Sequence, residues 1–275
     1  MNDYDISKVQ INSSNPCLIV FLLDQSGSMD LTYGGNSNIK KKDHLAESIN
    51  QTIYEIGLRS ISGGGDIKNR FEIAVIGYGR DNDVYSAFEG NLSGRWVVSI
   101  KELFDNPKGY MNDLPIWITS NAFSATPMAK AFHNAHSLTQ DWINFRNQNV
   151  NHNDCHPPII INITDGEPTD CDSRFQDLFD VADAIKSEGT NYGNTLIFNC
   201  HISEIASDPI VFPNQTPNLD LYSSAMFDLS STLTPKMTDI AMARGYKINS
   251  QSKGFIYNAG TRELIDFLNI GSSPA

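Results

Sequence analysis

Five oxygen-bearing side chains in three separated segments could hold a hard cation. The first segment runs out of an apolar stretch into Asp24-Gln-Ser26-Gly27-Ser28-Met29. A carboxylate followed by two hydroxyls at alternate positions offers the hard oxygen donors that Mg²⁺ prefers. Gly27, between the serines, permits a tight curl back toward Asp24. The second segment, Ser124-Ala-Thr126-Pro127-Met128, adds a hydroxyl. The third, Ile159-Ile-Ile-Asn-Ile-Thr164-Asp165-Gly166, adds a second carboxylate after a second apolar run. Such donors admit two chemistries: metal-assisted phosphoryl transfer or hydrolysis, or metal-mediated recognition of a partner.

The elements that must position these residues follow from the hydropathy pattern. Residues 17–23 are continuously apolar and rich in strand formers, as suits a central parallel strand covered on both sides. Helical spacing of Leu45, Ile49, Ile53 and Ile56 predicts a helix over 43–61, ended by Ser62-Gly-Gly-Gly65. Phe71 to Tyr78 reads as a strand, joined through Gly79-Arg-Asp-Asn to a short partner over 83–88. Residues 91–122 read as a loop with short elements. A helix is expected from Thr126 to about Asn147, with Pro127 in its first turn. Then come an apolar strand over 159–163, a helix from Phe175 to about Glu188 closed by Gly189, and a strand over 195–202. This alternation predicts an α/β fold: doubly wound, with a mostly parallel central sheet, helices on both faces and one antiparallel edge strand. In such sheets ligands gather at the carboxyl ends of the strands. Asp24 and Asp165 each follow a strand and Thr126 opens a helix, so three loops can converge on one ion.

The chain has 275 residues, enough for one large domain. Residues 1–16 are polar, an arm or an edge strand near Val9-Gln-Ile11. Residues 17–275 then form a single domain with a C-terminal extension of its core from about residue 206. That extension should contain a short strand or extended segment over 208–213, a segment 221–228 leading to a helix over 233–244, a strand over 254–258 and a closing helix from Thr261 to Leu268. The formal charge of −12 disfavours nucleic acid as a partner. No apolar run of about 18 residues suggests a membrane span. The start lacks a signal-peptide pattern. Four cysteines, at 17, 155, 171 and 200, form no tight pair and suit a reducing cytoplasm.

The three segments together resemble the metal-ion-dependent adhesion site (MIDAS) of von Willebrand factor A (VWA) domains. Asp24-Gln-Ser26-Gly-Ser28 matches the family's first loop, Thr126 its threonine, and Asp165 in Ile-Thr-Asp-Gly its second aspartate. The likeness covers residues 17–205 in the expected order. It implies a Rossmann-like fold and a Mg²⁺ or Mn²⁺ ion bound directly by Ser26 and Ser28. It further implies Asp24 and Asp165 acting directly or through water, and Thr126 joining when the site is engaged. An acidic residue of a protein partner would complete the coordination. Glu167, Asp170 and Asp172 are either a solvated acidic loop or a rim that tunes the site.

The tail resembles a bacterial, cytoplasmic branch of the same family in Ile202 to Pro213, Ser230 to Met237 and Gly254 to Ala259. Relatives of this branch accompany a PP2C-like phosphatase and a serine/threonine kinase and are linked with stress response. The resemblance therefore implies a divalent-cation-dependent protein-binding or adaptor module in phosphorylation or stress signalling. A metal-dependent hydrolase or phosphotransferase is the alternative, and a structural module with a vestigial metal site is another. The enzymatic version lacks sequence support. There is no Gly-x-x-x-x-Gly-Lys-Ser/Thr loop, no Gly-x-Ser-x-Gly elbow, and no general base among the histidines at 44, 133, 136, 152, 156 and 201, which are scattered or surface-like. A zinc cluster of His152, Cys155, His156 and Cys171 has suitable donors but intervals unlike a compact zinc module.

Overall fold

The structure, a computed structural model, describes residues 9–33, 36–148, 154–202 and 208–273. Residues 1–8 of the expected arm, His152 of the zinc alternative and residues 203–207 of the tail lie outside the described residues. Residues 9–16 form no strand, although Val9 is buried.

Among the described residues the main sheet has eight strands. They are β1 (Cys17–Asp24), β2 (Phe71–Tyr78), β3 (Val84–Ser86), β4 (Val98–Ser99), β5 (Ile159–Thr164), β6 (Leu196–Ile202), β7 (Ile210–Val211) and β8 (Phe255–Ala259). Their spatial order is β7-β8-β6-β5-β1-β2-β3, with β4 also on β2. The five strands from β8 to β2 run parallel. The expected antiparallel edge strand is β3, on β2, where β4 also pairs antiparallel. A further antiparallel strand, β7, lies against β8 at the opposite edge.

The helices are α1 (Lys41–Arg59), α2 (Ile100–Asp105), α3 (Met128–Asn147), α4 (Gln176–Ser187), α5 (Leu221–Leu229), α6 (Pro235–Ala243) and α7 (Thr261–Gly271). All eight residues of β1 are buried because the sheet is covered twice. Cys17, Ile19, Phe21 and Leu23 enter one apolar cluster with α1, α2, α6 and α7. Leu18, Val20 and Leu22 enter the other with α3, α4 and α5. Burying one such side chain contributes about 1.5–3 kcal/mol. The two covered faces therefore hold β1 far more firmly than strand propensity does. Among the described residues no helix is long and apolar enough to cross a membrane.

Local boundaries differ from the sequence expectation in instructive ways. The first helix begins at Lys41 rather than 43. Pro127 is the residue before α3 rather than part of its first turn, with ψ at 65°. Gly189 does not terminate α4 in a left-handed turn. It enters a small antiparallel pair, Gly189–Thr190 with Gly193–Asn194. Residues 221–229 are a helix in their own right, because the Asp220 side chain accepts from the Ser223 amide and caps it.

Candidate metal centre

The parallel register brings the candidate segments to one edge. Asp24 ends β1 opposite Tyr78 of β2, while Thr164 ends β5 opposite His201 of β6. After Asp24 the chain turns tightly. The amides of Met29 and Leu31 donate to the carbonyls of Ser26 and Ser28 at 3.1 and 3.0 Å. This turn puts both serine hydroxyls back over the strand end.

Gly27 has a second reason to be glycine: a β-carbon there would lie 3.0 Å from the Phe123 carbonyl oxygen. The Phe123 amide donates to the Gln25 carbonyl at 2.7 Å, so the first two loops are packed backbone to backbone. Gly79 completes this close approach. Its φ is +139°, and a β-carbon would fall 2.6 Å from the Gln25 carbonyl oxygen.

Four of the five candidate ligands form one hydrogen-bonded chain. Asp24 Oδ1 accepts from the Ser26 amide at 2.8 Å. Ser26 Oγ and Ser28 Oγ share a bond of 3.0 Å, and Ser28 Oγ donates to Asp165 Oδ1 at 2.8 Å. The fifth, Thr126, stands outside this chain, buried and tied to the third loop. Its amide donates to Thr169 Oγ1 at 3.0 Å, and the Thr169 amide returns a bond to the Thr126 carbonyl at 2.9 Å.

Two residues outside the expected ligand set complete the centre. Thr164 Oγ1 donates to Asp24 Oδ2 at 2.7 Å. Lys41 Nζ lies 2.5 Å from Asp165 Oδ2, an ion pair without the alignment of a hydrogen bond. The two side chains are only 4% and 0% exposed. A sequence signal for Lys41 existed. Lys40, Lys41 and Lys42 stand at the positive end of a helix, where cations are disfavoured unless acids offset them. Asp30 offsets the outer two lysines and Asp165 the middle one.

The centre is electrostatically loaded. Burial and the neighbouring Asp165 carboxylate push the Asp24 carboxyl up to about 6, against the hydrogen bonds from Thr164 and Ser26. A divalent ion at this edge would offset that repulsion. Cis oxygens of an octahedral ion bound at 2.0–2.1 Å lie about 2.9 Å apart. The Ser26–Ser28 and Ser28–Asp165 oxygen pairs, at 3.0 and 2.8 Å, are hydrogen-bonded to each other and so already close enough to act as neighbouring ligands.

The expected rim residues divide. Asp170 binds the start of α3, its two oxygens accepting from the amides of Ala129 and Lys130 at 3.0 and 2.9 Å. Asp172 Oδ1 accepts from the amides of Arg174 and Gln176 at 3.1 Å each, at the start of α4. Glu167 is exposed. Beside the first two loops, the Arg80 guanidinium lies over the rings of Tyr85 and Phe123, 4.2 and 5.0 Å from their centroids.

The zinc alternative finds no cluster. Among the described residues no group of three or more His, Cys, Asp or Glu side chains is placed to hold a metal. His156 and His44 are also buried rather than surface-like, as is Cys155.

Several solved structures are similar to this chain. The manganese-loaded TRAP protein of Plasmodium vivax is 17% identical, over 70% of this chain and 59% of that one, with a TM-score of 0.37. Proximal thread matrix protein 1 from the mussel byssus, with a zinc-occupied MIDAS motif, is 16% identical over 70% of this chain and 37% of that one, with a TM-score of 0.37. Three N-terminal domains of the type V pili tip protein Mfa5 from Porphyromonas gingivalis are 16% identical, over 56% of this chain and 20% of that one, with a TM-score of 0.32. The chain thus spans less than two thirds of the length of each. No family model matches it, and no curated protein does.

Proposed function

We propose that this chain is a divalent-cation-dependent protein-binding module, and that its centre takes Mg²⁺ or Mn²⁺ and an acidic side chain of a partner. One observation carries the proposal: the hydrogen-bonded chain from the enclosed Asp24 through Ser26 and the partly exposed Ser28 to Asp165, which gathers two carboxylates and two hydroxyls at the sheet edge. Asp24, Ser26, Ser28, Thr126 and Asp165 would hold the ion, with Thr164 fixing Asp24. The bound ion supplies a Lewis-acidic position that a partner carboxylate can fill.

The proposal is a binding role rather than catalysis, and the state of His201 supports it. His201 Nδ1 accepts from the Asn258 amide at 3.4 Å, and the ring stacks on Tyr257 at 4.7 Å between centroids. Burial pulls this imidazole down to about 4, so it is a weak base, engaged with its own neighbours. We further propose a cytoplasmic adaptor in phosphorylation or stress signalling, with a PP2C-like phosphatase or a serine/threonine kinase as the partner. That part rests on the tail's resemblance alone.

Calorimetric titration with Mg²⁺ and Mn²⁺, for wild type and Asp24→Ala, tests the centre. Saturable one-site binding by the wild type, lost in the folded variant, is expected. Undetectable binding by the wild type would leave a structural module with a vestigial site. Capture of a purified phosphatase or kinase partner in Mg²⁺ but not in EDTA would support the adaptor role. Turnover of phosphorylated substrates by the metal-loaded chain would favour the enzymatic alternative instead.

A further inference from the structure

Lys41 places an ammonium inside a site that two carboxylates would otherwise dominate. The pair it forms with Asp165 is enclosed, in contrast to the half-exposed Lys40–Asp30 pair beside it. Its position is also fixed by the backbone, since the Lys41 amide donates to the Leu31 carbonyl at 3.0 Å at the start of α1. Asp165 is thereby held from two sides, by the Ser28 hydroxyl on Oδ1 and by Lys41 on Oδ2.

Charge neutrality in a buried site then dictates what the site accepts. Asp24, Asp165 and Lys41 together leave one negative charge. A divalent cation turns this into one positive charge, and a single carboxylate brings it to zero. Without Lys41, the cation alone would neutralise the two aspartates, and an arriving carboxylate would leave a buried negative charge. Uncompensated buried charge is strongly unfavourable.

We propose that Lys41 is a specificity-determining residue: a built-in counter-ion that keeps the metal weakly bound until a carboxylate arrives, so that cation and acid bind together. This inference rests on the metal-site assignment proposed above and adds the residue that couples its two ligands. It predicts positive linkage, in which metal strengthens acid binding and acid strengthens metal binding by the same factor.

The test is Mn²⁺ titration of the full chain, followed by the electron paramagnetic resonance signal of free Mn²⁺. It compares wild type, Lys41→Met and Lys41→Arg, in chloride and in acetate at equal ionic strength. Lys41→Met should bind Mn²⁺ at least about tenfold more tightly than wild type, the floor expected for a unit charge a few ångström from a divalent ion even in high dielectric. Acetate should tighten Mn²⁺ binding to wild type and Lys41→Arg several-fold and have little effect on Lys41→Met. Unchanged or weaker Mn²⁺ binding by a folded Lys41→Met would overturn the inference while leaving the metal site standing.

Lys41→Met leaves Asp165 without its counter-ion, so this variant should also melt lower than wild type in EDTA and gain more from Mn²⁺. If it does not fold even with Mn²⁺, wild type alone decides: Mn²⁺ affinity that is the same in chloride and acetate sinks the coupling. Absence of Mn²⁺ binding in all three proteins would instead remove the metal-site assignment, and this inference with it.

Discussion

Asp24 is fully enclosed, and its Oδ2 meets the hydroxyl of Thr164 at 2.7 Å. Thr164→Val keeps the side-chain shape and deletes that donor. Loss of a partner for a buried charged acceptor should destabilise the metal-free protein by about 1–3 kcal/mol, measured by urea unfolding in EDTA. Ser28→Ala should behave differently, because this hydroxyl is partly exposed and bridges Ser26 to Asp165. Its stability should change by only about 1 kcal/mol, whereas calorimetric Mn²⁺ affinity should fall at least tenfold, to about a tenth or less of wild type. His201 gives the site's surroundings a pH dependence. Burial, with a smaller push from Lys41, lowers its pKa from 6.5 to about 4, while Asp165 and Asp220 oppose the shift. The native state therefore binds the proton less readily than the unfolded chain does. The associated stability is complete above about 6.5 and is lost progressively as pH falls toward 4, a change on the order of 1–3 kcal/mol. His201→Phe, which can keep the stack on Tyr257, should flatten this part of the stability curve. Unfolding midpoints of wild type and variant that fall in parallel between pH 6.5 and 4 would contradict this account.

The elements that carry the site owe their mutual placement to a few contacts between segments distant in sequence. The segment after β5 caps α3 through Asp170, and the Thr126–Thr169 exchange lies beside that cap. Asp170→Ala should therefore cost about 1 kcal/mol, the usual scale for losing a helix cap. It should also weaken metal binding, because Thr126 is positioned by the same junction. Asp170→Asn, which keeps an acceptor, should retain most of both properties in paired unfolding and calorimetric titrations. These contacts explain what was legible in the sequence. The strands over 17–24, 71–78 and 159–164 could be read because burial on two faces demands continuous apolar runs. The loops of Asp24, Ser26, Ser28 and Asp165 could be located because they follow such strands, and Thr126 because it stands just before a helix. Neither Lys41 nor the capping use of Asp170 could be assigned in the same way, since each depends on a partner in another segment. The role of Gly189 escapes the sequence for a related reason: α4 ends where its pattern says, but Gly189 pairs with the strand that follows instead of capping the helix.

Across the whole molecule, the domain folds around two apolar clusters, while its one edge bearing Asp24 and Asp165 opposes compaction through buried charge. A ligand that binds only the native edge must therefore stabilise the entire domain, by RT ln(1 + [L]/Kd), or about 2.7 kcal/mol at a hundredfold excess over Kd. For a domain of this size each kcal/mol raises the melting temperature by roughly 2–4 °C. Saturating Mn²⁺ or Mg²⁺ should accordingly raise it by about 5–10 °C. The formal charge of −12 adds a competing effect, because any salt screens self-repulsion and raises the midpoint somewhat. The two effects separate cleanly. NaCl at matched ionic strength should reproduce only the screening part, and Asp24→Ala, which removes a buried charge but no fold-forming apolar surface, should respond equally to MgCl₂ and NaCl. Differential scanning calorimetry on both proteins with both salts makes the comparison. A wild-type midpoint that rises no more with Mg²⁺ or Mn²⁺ than with matched NaCl would show that the ion acts on the surface charge and not at the strand ends.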